Sequence, residues 1–355
     1  MAGESGKAGS FRATLQRMRE AGISAEQALE WLHKVDVCPV FTAHPTEVAR
    51  RVVLYKRRHI SAELQKLDLL PLSDEMARES QEAILTEITA LWQSDNVRQR
   101  KPTVVDEIAM GLDHYNVSLL PPIASLYKGM ARDFALIYGI ECDPQELPTV
   151  VRFGSWVGGD RDGNPFVTPE STRAALASAR ELILNDYLAE LFLLRRSLTS
   201  SVNQTGKVPG IEKDLAAALL AFPAARQSVE SLPEGEFFRR YITLIHYRLS
   251  LTLEDPGAAD AYPDAEAFRK DLELVNRSLT ACQADRLAQQ TLAPLLRKVA
   301  TFGFHLHSLD IRQHANVHAR AVSELATGQK LQNSGGVSQQ TKELLDTLRA
   351  IARIK

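Results

Sequence analysis

Apolar positions recur at helical spacing along most of the chain, and three short β-branched or aromatic stretches interrupt that rhythm. Residues 11–34 carry Leu15, Met18, Ala25, Leu29 and Leu32 on a helix that Gly22 divides in two. The segment at about 46–69 spaces Val48, Val52, Tyr55, Ile60, Leu64 and Leu67 as a helix with a basic outer face of Arg50, Arg51, Lys56, Arg57 and Arg58. Ser73 opens another, with Ile84, Ile88, Leu91 and Trp92. After a polar connection at 94–103, helix runs to about 119, breaks at Pro121-Pro122 and resumes to Tyr138. A long helix at 169–198 aligns Leu176, Ile183, Tyr187, Leu191, Leu194 and Leu198, with Thr168 as N-cap and Pro169 at its first position. Further helices are expected near 211–221, 235–249, 264–281 and 283–298, then to about 326, and at 340–353. The three interruptions read as strands at about 36–42, 149–156 and 301–311, which makes the chain mainly α with a parallel β component.

Each strand-like run ends in polar residues and then enters a helix. His44 follows the first, Asp160, Arg161 and Asp162 follow the second, and Arg312 follows the third. Loops at the carboxyl ends of parallel strands face a common space, so one sheet is expected to bring His44, Arg161 and Arg312 together. These are a proton-transferring imidazole and two guanidiniums suited to phosphate or carboxylate. The second loop is the richest: Gly154-Ser155-Trp156-Val157-Gly158-Gly159-Asp160-Arg161-Asp162-Gly163-Asn164-Pro165. Glycines let backbone N–H groups approach a ligand, so this run is expected to shape an anion site. The alternative is a tight surface connection, against which Trp156 and Arg161 speak, since neither is a turn residue.

Composition narrows the class. The chain has 355 residues, 45% hydrophobic and 24% charged, with a net charge of −2, an ordinary globular balance that points to neither nucleic acid nor a membrane surface. The first ten residues lack an apolar core and are expected to be a disordered start. Cys38, Cys142 and Cys282 are too widely spaced for a disulfide framework or a zinc knuckle, which fits a reducing cytoplasm. Neither a Walker loop nor a dinucleotide fingerprint is present. Asp160-x-Asp162-x-Asn164 begins like a calcium loop, but Pro165 stands where that loop needs glycine and Ser171 where it needs glutamate. His305/His307 and His314/His318 have spacings that can bind metal, yet no acid or cysteine partner lies nearby, so exposed or hydrogen-bonded histidines are expected.

Taken together, the three strand-end sites resemble phosphoenolpyruvate carboxylase, in its bacterial-type N-terminal portion. The resemblance is carried by Phe41-Thr42-Ala43-His44-Pro45-Thr46-Glu47 with Arg50-Arg51, by Gly154 through Pro165 (Val157 standing where many members have methionine), and by Leu309-Asp310-Ile311-Arg312-Gln313. Weaker likeness at Leu91-Trp92, Lys101-Pro102-Thr103, Leu272-Glu273-Leu274 and Arg277-Ser278-Leu279 extends it over about residues 35–325.

The resemblance implies a cytoplasmic enzyme that joins bicarbonate to phosphoenolpyruvate, giving oxaloacetate and phosphate, through carboxyphosphate and an enolate, with Mg²⁺ or Mn²⁺. It implies an eight-stranded, helix-rich α/β (TIM-like) barrel and a homotetramer. His44 is then the general base and Arg312 a phosphate holder. Trp156 walls the site, Arg161 is the loop residue expected to meet an anion, and Gly158, Gly159, Asp160, Asp162 and Asn164 shape the loop, with Thr46 and Arg50 also near substrate. Arg98-Gln99 departs from a pair of arginines associated with a sugar-phosphate activator, and His314 and Val317 replace an acid and an arginine. Motifs expected for the metal ligands and the later strands are missing, so residues 11–355 are expected to form part of such a barrel, with the remainder of the enzyme as partner. Two other readings stay open: a non-catalytic anion-binding or scaffold domain, and phosphoryl transfer through a phosphohistidine at His44.

Overall fold

A computed structural model describes residues 7–42, 51–69, 71–94, 103–162, 164, 166–206, 210–328 and 337–353. His44, Thr46 and Arg50 lie outside the described residues, as do Arg98, Gln99, Gly163 and Pro165.

The described chain is mostly helical, and polar side chains mark most helix starts. α1 (Phe11–Glu20) begins at Ser10, and α2 (Ala25–Leu32) at a capping box of Ser24 and Gln27. Gly22 separates them at φ +78°, as the sequence predicts. α3 (Arg51–Leu69) packs antiparallel on α4 (Asp74–Trp92), which Ser73 caps. Thr103 and Asp106 box the start of α5 (Val104–His114), and a π-helical turn, Tyr115–Leu119, leads to α6 (Ile123–Tyr138).

The central helix is α7 (Pro169–Ser197), 29 residues or roughly 43 Å long. Thr168 caps it through the Ser171 N–H, and Pro169 sits in its first turn, where no backbone donor is needed. Its buried stripe is Thr172, Ala175, Ala179, Ile183, Tyr187, Leu191 and Leu194. Small alanines, rather than the expected Leu176, hold the N-terminal half of the stripe. Gly158 explains this, because a Cβ there would lie 2.8 Å from Ala175 Cβ. Short helices α8 (Val202–Thr205), α9 (Ile211–Ala221) and α10 (Arg226–Glu230) follow. α11 (Phe237–Glu254) then lies along α7, and α12 (Ala265–Ala281) closes that side. α13 (Asp285–Leu287) runs through a π turn into α14 (Ala293–Phe302). Tyr187 Oη ties α7 to the end of α14 by donating to the Gly303 carbonyl at 2.9 Å, and Lys298 bonds Asp186 and Glu190 alongside. α15 (Ala315–Gly328) and α16 (Gln339–Arg353) form a C-terminal pair.

Three short strands, β1 (Val40–Phe41), β2 (Gly154–Ser155) and β3 (Ser308–Leu309), form a parallel sheet in the order β1-β2-β3. Isolated bridges, Val37 to Val151 and Asp160 to Arg312, prolong the pairing at either end. The third strand is much shorter than the expected 301–311. Residues up to Phe302 finish α14 because Leu295, Leu296, Val299 and Phe302 keep a three-to-four spacing into the core, and Gly303 at φ +53° ends the helix. The first two strands pair over less than their expected length as well, since pairing needs a neighbour and not only an extended backbone.

The two faces of the sheet differ. Phe153, Ser155 and Val157 are buried, with Phe41 and Leu309 half-buried, against α5, the π turn and α14. The other face carries Cys38, Val40, Gly154, Ser308, Asp310 and Arg312. Val40 is 39% exposed there, unusual for a β-branched strand residue. A Cβ on Gly154 would touch Val40, Ser308 and Cys38 side chains, which places all three on that open face. No helix among the described residues is long and apolar enough to cross a membrane.

Candidate active site at the strand ends

Strand alternation puts residues 308, 310 and 312 on one face, and Trp156 emerges on the same face from the end of β2. The backbone builds the junction: Trp156 N–H donates to the Phe41 carbonyl at 2.8 Å, Asp310 N–H to Ser155 at 2.9 Å, Arg312 N–H to Gly159 at 3.1 Å, and Arg161 N–H to Arg312 at 2.9 Å. All three strands therefore converge within a few residues.

The side chains close a cluster over that junction. Trp156 Nε1–H donates to Asp310 Oδ2 at 2.9 Å. The Arg312 guanidinium carbon stands 4.3 Å from the Trp156 ring centroid, well inside cation–π range. Arg312 Nη1 also reaches Asp160 Oδ2 at 3.4 Å, a long and partly exposed pair. The result is one cation on an aromatic face, flanked by two carboxylates and open to solvent.

The glycine-rich loop does something different from what its composition suggests. Its backbone donors are largely taken: Gly159 and Asp160 N–H both donate to the Trp156 carbonyl at 2.9 Å, Asp162 N–H to Asp160 Oδ1, and Phe166 N–H to Asn164 Oδ1. Gly158 needs its φ of +85° and its room beside Ala175, while Gly159 has the Asp310 carbonyl where a Cβ would lie, 2.3 Å away. These two glycines serve close approach of helix and strand. Arg161 turns inward as well. It donates to the Val167 and Thr168 carbonyls and, at 2.6 Å, to Thr172 Oγ1, which itself donates to the Gly158 carbonyl. Burial pulls the Arg161 pKa below the ordinary arginine value, opposed by Glu170 and Glu343. It stitches the loop to the start of α7, beside a polar cavity of about 720 Å³ that Asn164, Glu170, Gln313 and Glu343 also line. Of the expected meeting of His44, Arg161 and Arg312, the backbones of Arg161 and Arg312 are joined while the Arg161 side chain turns to the start of α7, and His44, Thr46 and Arg50 lie outside the described residues.

The histidine pairs do not form metal sites. His314 Nδ1 accepts the Asn316 N–H at the start of α15, which caps the helix. His307 points into the core beside Tyr115, its pKa pushed down to about 4 by burial, and its Nδ1 has no partner. Among the described residues no group of three or more His, Cys, Asp or Glu could hold a metal ion.

Comparison with known proteins gives this geometry a context. A model of the phosphoenolpyruvate carboxylase family matches residues 1–354. The chain belongs to the phosphoenolpyruvate carboxylase family. It is 35% identical over 340 residues to the phosphoenolpyruvate carboxylase of Azorhizobium caulinodans, covering 92% of this chain and 35% of that protein. The enzyme of Ralstonia nicotianae is 35% identical over 338 residues, 92% of this chain and 33% of its own. That of Rhodothermus marinus is 35% identical over 316 residues, 87% of this chain and 33% of its own. The chain thus spans about a third of the length of the curated relatives it matches.

Two features of the site escaped the sequence reading. Asp310 has no role in a reading by composition, although period-two alternation with Arg312 puts both on the open face. Thr172, in the first turn of α7, is the acceptor that turns Arg161 inward; nothing in the sequence marks it.

Proposed function

We propose that this chain contributes three strand-end loops of a site that carboxylates phosphoenolpyruvate with bicarbonate, yielding oxaloacetate and phosphate. The observation that carries the reading is the convergence of Trp156, Asp160, Asp310 and Arg312 where three parallel strands end, on a sheet face left open. Such an open face, with exposed Val40, suits a barrel that further strands complete, and the relatives' greater length agrees.

In this proposal the phosphoryl group passes from phosphoenolpyruvate to a bicarbonate oxygen, giving carboxyphosphate and the enolate of pyruvate. Carboxyphosphate then divides into CO₂ and phosphate, and the enolate carbon attacks CO₂. Arg312, held on the Trp156 face, presents charged donors to phosphoryl oxygens. His44 takes the carboxyl proton of carboxyphosphate, a task within reach of an imidazole near neutral pH. Trp156 covers the enolate against water. Arg161, Gly158 and Gly159 keep the loop in place, and Asp162 and Asn164 close its turns. Thr46 and Arg50 are assigned to the same mouth. The described residues offer no holder for Mg²⁺ or Mn²⁺, so those ligands are assigned to the remainder of the enzyme and no step is routed through the metal. The assembled enzyme is then a cytoplasmic homotetramer.

The test is oxaloacetate formation, followed by malate dehydrogenase and NADH absorbance, with this chain alone and with the complementary C-terminal portion of a relative supplied. The expected result is no turnover alone, turnover on supplementation, and its loss in His44→Ala. Robust turnover by the chain alone overturns the shared-site reading. Acid-labile phosphate on His44 after incubation with phosphoenolpyruvate would instead favour a phosphohistidine route, and phosphate binding without turnover in any combination a non-catalytic anion-binding domain.

A further inference from the structure

Asp310 is placed to do more than end a strand. Its backbone is clamped on both sides: the N–H donates to Ser155, and the carbonyl lies directly under Gly159, where no Cβ would fit. Its carboxylate therefore projects from a fixed base. Trp156 is anchored just as firmly through its N–H to Phe41. With both main chains fixed, the 2.9 Å bond from the indole N–H to Asp310 Oδ2 leaves the ring one plane. That plane is the one on which the Arg312 guanidinium rests.

We propose that Asp310 is a positioning residue of the strand-end site: by accepting the Trp156 indole proton it sets the ring plane, and the ring holds Arg312 over the open face of the sheet. An arginine held in this way loses less side-chain freedom when an anion arrives, so it binds more tightly than a freely rotating one. Arg161 does not share the task, since its donors are turned onto Val167, Thr168 and Thr172. The proposal deepens the reading of Arg312 as a phosphate holder and rests on it for its purpose, while its geometry stands separately.

The sequence allows a direct experiment, because it contains only three tryptophans. Replacing Trp31 and Trp92 by phenylalanine leaves Trp156 as the sole reporter. In that background the indole N–H resonance, nuclear Overhauser contacts between the Trp156 ring and the Arg312 side chain, and titration with inorganic phosphate are compared among the parent, Asp310→Ala and Asp310→Asn. Thermal unfolding serves as a check that each variant is folded. Asp310→Ala is expected to move the indole resonance upfield, remove the ring contacts and weaken phosphate binding several-fold. Asp310→Asn, whose amide oxygen still accepts the proton, restores all three. An unmoved resonance, or ring contacts retained in Asp310→Ala, overturns the proposal, as does phosphate affinity unchanged while the ring moves. Absence of phosphate binding in the parent overturns the functional reading of Arg312 instead, and the resonance and ring contacts then decide the positioning alone.

Discussion

The two faces of the three-stranded sheet are built from alternate residues of the same strands and follow opposite rules. On the covered face, Phe153 stacks on Phe302 with ring centroids 5.4 Å apart, and Tyr115 meets Phe41, Phe153 and Phe302. Two polar atoms there go without partners: Tyr115 Oη and His307 Nδ1 are both buried and unpaired, and burial raises the Tyr115 pKa while lowering that of His307. On the open face the polar side chains at the strand ends pair with one another. Trp156 bonds Asp310, and Arg312 stacks on Trp156 and pairs with Asp160. The covered face holds the strands together at some polar cost; the open face holds charge in reach of solvent at almost none. Substitutions should therefore separate into those that unfold the chain and those that change what it binds.

The largest effect is expected on the covered face. Phe302 is 4% exposed and joins two aromatic partners to the end of α14. Phe302→Ala should destabilise the fold by about 4 kcal/mol, from lost burial plus the cavity left behind. Urea denaturation measures it, and a loss below about 1 kcal/mol would show that this cluster is not what anchors the sheet. A pH effect on the same face comes next. His307 is neutral in the fold, with a pKa of about 4 against 6.5 ordinarily. The unfolded chain therefore takes up a proton that the folded chain refuses across this interval. The contribution of His307 is fully present above about pH 6.5, falls as pH drops toward 4, and levels off below, by up to roughly 3 kcal/mol. His307→Phe should flatten that part of the pH–stability curve, and an unchanged curve would place the titrating group elsewhere.

How the sheet came to have these faces is partly readable in the residues and partly not. Thr168-Pro169 announces the start of α7, and Gly22 the break between α1 and α2, because capping and positive φ are local chemistry. The strand ends are legible too, since short β-branched runs halt at polar residues. The end of α14 is not: Thr301 and Phe302 suit a strand by propensity, and only burial of Phe302 among Phe153 and Tyr115 commits them to helix. Arg161 shows the same limit within the site. Its charge suggests an anion, but Thr172 and two carbonyls, brought close by the turn into α7, take its donors instead. Gly158 and Gly159 are likewise explained only once Ala175 and Asp310 are seen beside them. What local chemistry decides can be read along the chain; what depends on a neighbour from another element cannot.

The smallest effect on stability, and the sharpest on binding, belongs to the open face. Asp160 and Arg312 approach to only 3.4 Å, with side chains 29% and 44% exposed. A pair of that kind contributes between zero and about 1 kcal/mol, so Asp160→Asn should change unfolding free energy by less than roughly 0.5 kcal/mol. The same carboxylate is an internal competitor for the guanidinium, because an incoming phosphate must share or displace it. Removing its charge should therefore tighten phosphate binding about threefold, the reverse of what loss of a ligand-contacting group would do. Isothermal titration with phosphate, beside urea denaturation of the same variant, separates the outcomes. Tighter binding at unchanged stability supports the division between the two faces, whereas a drop in stability as large as that of Phe302→Ala would mean that the strand-end cluster belongs to the scaffold after all.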